Sequence, residues 1–93
     1  MSKIDFEAAS ECLKVLAHPV RLKIVDVLLG SPCSVLYLAN ECGTSQPVMS
    51  EHLRLLARCG FIKGVRDGRN VNYEIAHSGL SSLLKCISTK CGD

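Results

Sequence analysis

Six cysteines, at positions 12, 33, 42, 59, 86 and 91, and three histidines, at 18, 52 and 77, carry most of the reactive chemistry in this 93-residue sequence. Thiolates select soft ions such as As(III), Cd, Pb, Cu(I) or zinc over magnesium and calcium. Six thiols in a secreted chain would suggest three disulfides. In a reducing compartment they suggest buried thiols, a metal site or a redox switch. No Cys-x-x-Cys, Cys-x-Cys or His-Glu-x-x-His spacing occurs, so local chelation is not written into the chain. Cys86 and Cys91 are five residues apart, about 140° around a helix, and would meet only in a frayed tail. Cysteine catalysis needs a base in hydrogen-bond reach and a third group to orient it. No phosphate-cradling glycine loop or paired-carboxylate motif is present, and the histidines have places in other elements. The sequence therefore reads as a non-enzyme with no organic cofactor.

The elements that must position these groups form one domain, residues 1–93, with 47% hydrophobic residues and a net charge of +2. That balance argues for a globular chain and only weakly for nucleic acid. The opening MSKIDFEAAS has neither the apolar core nor the cleavage site of a signal peptide. No run approaches the roughly 18–20 apolar residues that span a bilayer. A cytoplasmic protein without a membrane partner is expected.

Residues 4–17 carry helical spacing, with Ala8, Ala9, Cys12, Leu13 and Leu16 toward one side. His18–Pro19 interrupts it, since a residue before proline avoids the α region and Pro19 suits the first position of a new helix. That helix runs to about Leu29, and Gly30–Ser31–Pro32 makes a loop with Cys33 at its far edge. Residues 35–59 read as a helix-turn-helix: a short helix from Val35 to about Asn40, a turn at Cys42–Gly43–Thr44, and a longer helix capped by Ser45 with Pro47 in its first turn. The second helix of such a unit can enter the major groove of double-stranded DNA. Gln46, Ser50, Glu51, His52 and Arg54 can meet base edges or phosphates, while Val48, Leu53, Leu55 and Leu56 hold the helix to the body. His52 is read as a DNA contact, with a polar residue on an exposed face as the alternative.

Residues 61–75 change period from 3.6 to 2, and Asp67–Gly68 between two alternating runs is a hairpin signal. A hairpin after a recognition helix is a wing. Lys63, Arg66 and Arg69 crowd it, with the arginines flanking the tip where phosphates or a minor groove would run. From Ser78 to Cys91 a last helix places Leu80, Leu83, Leu84, Ile87 and Cys91 on a narrow stripe. The stripe either covers the domain's own core or joins the first helix in the interface of a homodimer, which is the favoured reading. The fold class is mainly α with a small β-hairpin, a winged helix-turn-helix in the order ααααββα.

Several segments resemble the ArsR/SmtB-type family of metal- and arsenic-responsive repressors. Leu16–Ala17–His18–Pro19–Val20–Arg21–Leu22–Lys23–Ile24 is similar to the family's "LADPTRLRIL" segment. Ser45–Gln46–Pro47–Val48–Met49–Ser50–Glu51–His52–Leu53 is similar to "SQPTVSRHL", and Arg66–Asp67–Gly68–Arg69–Asn70–Val71–Asn72–Tyr73 to "REGRxVxY". The resemblance spans about residues 12–76. It implies a homodimeric repressor that leaves its operator when an inducer binds, with Ser45, Gln46, Pro47, Ser50, Glu51, His52, Arg54, Lys63, Arg66 and Arg69 facing DNA.

The family's inducer sites do not carry over whole. Where members have "ELCVCDL", this chain has Pro32–Cys33–Ser34–Val35–Leu36–Tyr37–Leu38, with one cysteine and no partner. The zinc-type site on the last helix aligns with His77, Gly79, Lys90 and Asp93, and glycine and lysine cannot complete it. A two-cysteine pattern on the recognition helix keeps Cys59 but has Leu55 in place of the other thiol. Members that bind arsenic between an N-terminal cysteine and a loop cysteine of the partner subunit offer the nearest analogy, so Cys12 with Cys33 is the expected sensing set, followed by Cys86 and Cys91. Cys42 and Cys59 are expected to be small core residues. As(III) or another soft ion is the expected inducer. The alternatives are the same scaffold switched by cysteine oxidation or persulfidation, and a winged helix used only for protein contacts.

Overall fold

The computed structural model describes residues 3–91. Helix α1 (Phe6–Leu16) begins two residues later than its periodicity suggests, because Asp5 caps it: the carboxylate accepts from the Ala8 amide at 3.1 Å. Helix α2 (Pro19–Gly30) is capped by His18, whose Nδ1 accepts from the Val20 amide at 3.1 Å. Strand β1 (Cys33–Ser34) leads directly into α3 (Val35–Cys42), with Ser34 as its cap. Gly43 ends α3 at φ 67, a left-handed conformation that a Cβ would penalise. Ser45 then opens α4 (Gln46–Arg58), its hydroxyl accepting from the Val48 amide at 3.3 Å.

Strands β2 (Ile62–Asp67) and β3 (Asn70–Ile75) form the hairpin, and α5 (Gly79–Cys91) closes the chain. Asp67 pairs with Asn70, so the two central turn residues are Gly68 and Arg69, one position later than the Asp67–Gly68 signal suggests. Only Gly68 takes a positive φ, 64°, the pattern of a type II′ turn rather than one with both central residues left-handed. The turn itself therefore contains Arg69. A second difference lies at Cys33–Ser34. The expected loop edge is a third strand, giving an antiparallel sheet of order β1-β3-β2 with Cys33 opposite Tyr73 and Ser34 opposite Asn72. Two residues are too few to show a period of their own.

One apolar core joins these elements. Ile24, Val25, Leu38, Met49, Leu53, Leu56 and Ile62 are fully enclosed, and no polar or charged residue is buried among the described residues. Helix α4 contributes Met49, Leu53 and Leu56, and Leu80 anchors the start of α5. The expected apolar side of α1 is a different matter. Only Leu16 is buried, while Leu13 is 56% and Phe6 77% exposed. Replacing Leu53 by Ala should lower unfolding stability by about 2–5 kcal/mol. Val48→Ala, on the exposed side of the same helix, should stay within roughly 0.5 kcal/mol of wild type. Urea denaturation of the two variants distinguishes the faces.

Candidate nucleic-acid interface

The inward commitment of Met49, Leu53 and Leu56 decides what α4 offers to the outside. Ser45, Gln46, Pro47, Val48, Ser50, Glu51 and Arg54 are exposed along its first three turns. Val48 is the residue that sequence reasoning misplaced. It was expected to hold the helix down, yet it is 48% exposed, and Met49 takes the core position instead. An apolar side chain on a recognition face can meet a thymine methyl. The signal was available in the heptad, because Met49, Leu53 and Leu56 already complete an i, i+4, i+7 stripe.

Glu51 and Arg54 form a bidentate ion pair one turn apart, with Arg54 Nε donating to Oε1 at 3.1 Å and Nη2 donating to Oε2. These hydrogen bonds hold the Glu51 carboxyl below its ordinary pKa. The pair places no net charge on the reading face. His52 is placed differently from its expected neighbours. It is half-buried, its Nδ1 accepts from Arg21 Nε of α2 at 3.1 Å, and its ring lies 4.9 Å from that of His18.

The wing carries three cations in two conditions. Lys63 pairs with Glu74 across the hairpin at 3.6 Å. Arg66, opposite Val71, and Arg69, in the turn, have no side-chain partner among the described residues and are exposed. Two uncompensated arginines at one tip suit a phosphate backbone, which is bound chiefly through such charge.

A single subunit brings together a pair of thiols that the sequence did not single out. Within one subunit Cys12 of α1 lies near Cys59, which ends α4, and both thiols are free and half-buried. Cys33 lies apart, buried beneath the sheet, with Sγ donating to the Ser31 carbonyl at 3.3 Å. Cys86 and Cys91 are exposed on α5, and Cys42 is half-buried at the end of α3. Burial raises the pKa of Cys33 and Cys42. Burial, then the Cys12 thiol, push Cys59 up to about 11. Among the described residues no group of three or more His, Cys, Asp or Glu side chains could hold a metal ion. One subunit therefore offers a dithiol and not a three-sulfur site. Sequence reasoning could not find the Cys12–Cys59 approach, since 47 positions separate them and only α1–α4 packing joins them.

A helix-turn-helix with an exposed polar second helix, followed by a hairpin with a cationic tip, defines a winged helix-turn-helix protein. A helix-turn-helix domain family model matches residues 16–65. The SmtB HTH-type transcriptional repressor of Mycobacterium tuberculosis is 38% identical over 78 residues, 84% of this chain and 58% of that protein. A probable mercury resistance operon repressor of Streptomyces lividans is 28% identical, over 84% of this chain and 62% of its own length. The chain thus spans less than two thirds of the length of these relatives. The crystal structure of NolR from Sinorhizobium fredii superposes with a TM-score of 0.87 at 28% identity, covering 99% of this chain and 98% of that one. This chain belongs to the ArsR/SmtB-type family of winged-helix regulators, a family of DNA-binding transcriptional regulators and not of enzymes. No helix among the described residues is long and apolar enough to cross a membrane.

The raised pKa of Cys59 has a definite consequence for stability. The folded state favours the neutral thiol, so its contribution is complete below the ordinary value of 9.0 and is lost as pH climbs toward about 11. Thermal unfolding followed from pH 8 to 11 should show an alkaline loss that is reduced in Cys59→Ser. Alkylation followed by mass spectrometry should label exposed Cys86 and Cys91 before buried Cys33.

Proposed function

We propose that this protein is a homodimeric transcriptional repressor that binds double-stranded operator DNA and releases it when a soft metal(loid) such as arsenite binds cysteine thiolates. The observation that carries the DNA-binding half is the division of α4. Its apolar side is fully committed to the core, and its other side presents Ser45, Gln46, Val48, Ser50, Glu51 and Arg54. The unpartnered Arg66 and Arg69 extend that surface at the wing, where Lys63 adds less because Glu74 shares its charge. Recognition in this geometry places side chains of α4 against base edges and the wing against backbone.

Dimer formation is supported by apolar surface that one subunit leaves uncovered. Phe6 and Leu13 stand out from α1, and Ile87 from α5. Beside α5 an open groove runs past Leu22, Leu29 and Leu84. A two-fold pair through the first and last helices would cover these residues and set two copies of α4 roughly 34–36 Å apart, one turn of DNA.

For the inducer, Cys12 and Cys59 are the favoured thiols, with Cys33, Cys86 and Cys91 as further candidates. The pair joins a helix of the proposed interface to the end of the recognition helix, so a ligand there acts on both. Arsenite would condense with the two thiols as 2 RSH + As(OH)₃ → (RS)₂AsOH + 2 H₂O, with no oxidation. A third thiolate would have to come from outside this pair. Disulfide formation between the same sulfurs is the second reading, favoured by their proximity; it needs a thiol oxidant such as a peroxide.

Fluorescence anisotropy of the anaerobic, reduced protein on the DNA upstream of its own gene tests the reading. Tight binding released at about one arsenite per subunit, and lost in Cys12→Ser or Cys59→Ser, is expected. Binding that ignores arsenite but falls on peroxide treatment would replace the first reading with the second. Arg66→Ala combined with Arg69→Ala should weaken binding to all sequences and make the log–log salt slope shallower by roughly 1–2, whereas Lys63→Ala should change it less. Unchanged affinity in the double variant would remove the wing from the interface.

A further inference from the structure

The contact between α2 and α4 contains three groups that form a connected set: His18, Arg21 and His52. Arg21 is held at both ends of its guanidinium. Nη1 donates to the Val15 carbonyl in the last turn of α1, and Nε donates to His52 Nδ1, each at 3.1 Å. A neutral imidazole that accepts at Nδ1 carries its proton on Nε2. Arg21 thereby determines the tautomer of a side chain on the recognition helix. Among the described residues every buried side-chain nitrogen and oxygen has a hydrogen-bond partner. His52 is half-buried and its Nε2 has no such partner, so that nitrogen reaches solvent.

We infer that Arg21 is a positioning residue that fixes His52 as an Nε2–H donor toward an acceptor atom of DNA, either a phosphate oxygen or the N7 or O6 edge of guanine. The inference rests on the DNA-binding reading above and adds a residue outside the helix-turn-helix to it. With the Nε2 position protonated, His52 is unsuited to ligate a metal in this state. The neighbouring charges act in the same sense. Burial, then Arg21, then His18 lower the His52 pKa, while Glu51 on its own helix opposes them. The neutral ring therefore prevails at and above the ordinary value of 6.5. Below it, protonation at Nδ1 would set two donors face to face and release Arg21, so the anchored arrangement is lost as pH falls through the lowered folded value. His18 follows the same tautomeric logic, since its Nδ1 accepts from the Val20 amide, but it sits at the helix junction and not on α4.

Nitrogen-15 NMR of the imidazoles in the full chain, recorded without DNA, reads the tautomer directly. Wild type at pH 7.5 should give His52 an acceptor-type Nδ1 and a protonated Nε2. Arg21→Met should produce a tautomeric mixture, and Arg21→Lys, which keeps a donor, should restore most of the wild-type signature. Titration of wild type needs no substitution and should place the His52 midpoint below 6.5. On a duplex that the wild-type protein selects from a random-sequence pool, Arg21→Met and His52→Ala should each cost about five- to tenfold in affinity. The two together should cost no more than the larger single loss, because both act through one donor. A uniform loss with a shallower salt slope identifies phosphate, and relaxed preference at one base pair identifies guanine. An unchanged His52 tautomer in Arg21→Met overturns the positioning role, and full affinity in His52→Ala overturns the contact. Selection of no duplex by wild type would overturn the DNA-binding reading itself and this inference with it, which the other two failures do not.

Discussion

Burial of one side of the Gln46–Arg58 helix is the constraint on which the rest of the molecule depends. Met49, Leu53 and Leu56 are each removed completely from water, a contribution on the order of 1.5–3 kcal/mol per side chain. They meet residues from the second and third helices and Ile62 of the hairpin in one cluster. Among the described residues no polar or charged residue is buried with them. Rotating the helix to present a different face would expose all three at once. The identity of the outward residues is thus fixed by the inward ones.

This division explains which features are legible in the sequence alone. The helix stop at Gly43, the cap at Ser45 and the junction at His18–Pro19 are local effects, decided within a few residues, and they stand where expected. Three other features depend on residues far apart in the chain. The strand at Cys33–Ser34 exists because Tyr73 and Asn72 offer it a free edge. His52 looks like its neighbours in sequence, but Arg21, 31 positions earlier, claims its Nδ1. Cys12 lies near Cys59 because the first helix packs on the recognition helix. The displaced hairpin turn is a subtler case. Asp67–Gly68 signals a turn correctly, but strand pairing continues through Asp67 and moves the central positions to Gly68 and Arg69.

The electrostatics follow the same logic of position over total. A net charge of +2 says little about a polyanionic partner. Pairing says more: Arg54 is neutralised by Glu51, Lys63 is shared with Glu74, and Arg21 is spent on a carbonyl and an imidazole. What remains uncompensated near the recognition surface, among the described residues, is Arg58 at the far end of the helix and the cluster of Arg66 and Arg69 on the wing. Long-range attraction from so small a cluster is screened beyond about 8–10 Å in physiological salt. Selectivity must then come from short-range contacts made by the helix.

The order β1-β3-β2 also leaves the first strand of the wing, β2, with one side unpaired. Such an edge is a template for adding a strand from another molecule, and it is a hazard when flat and apolar. Here five of its six residues are exposed, and they include Lys63, Arg66 and Asp67. A neighbouring wing approaching parallel and in register would set Lys63 against Lys63 and Arg66 against Arg66. Lys63 and Arg66 thus charge the exposed edge, the kind of device that guards a strand against adding another chain.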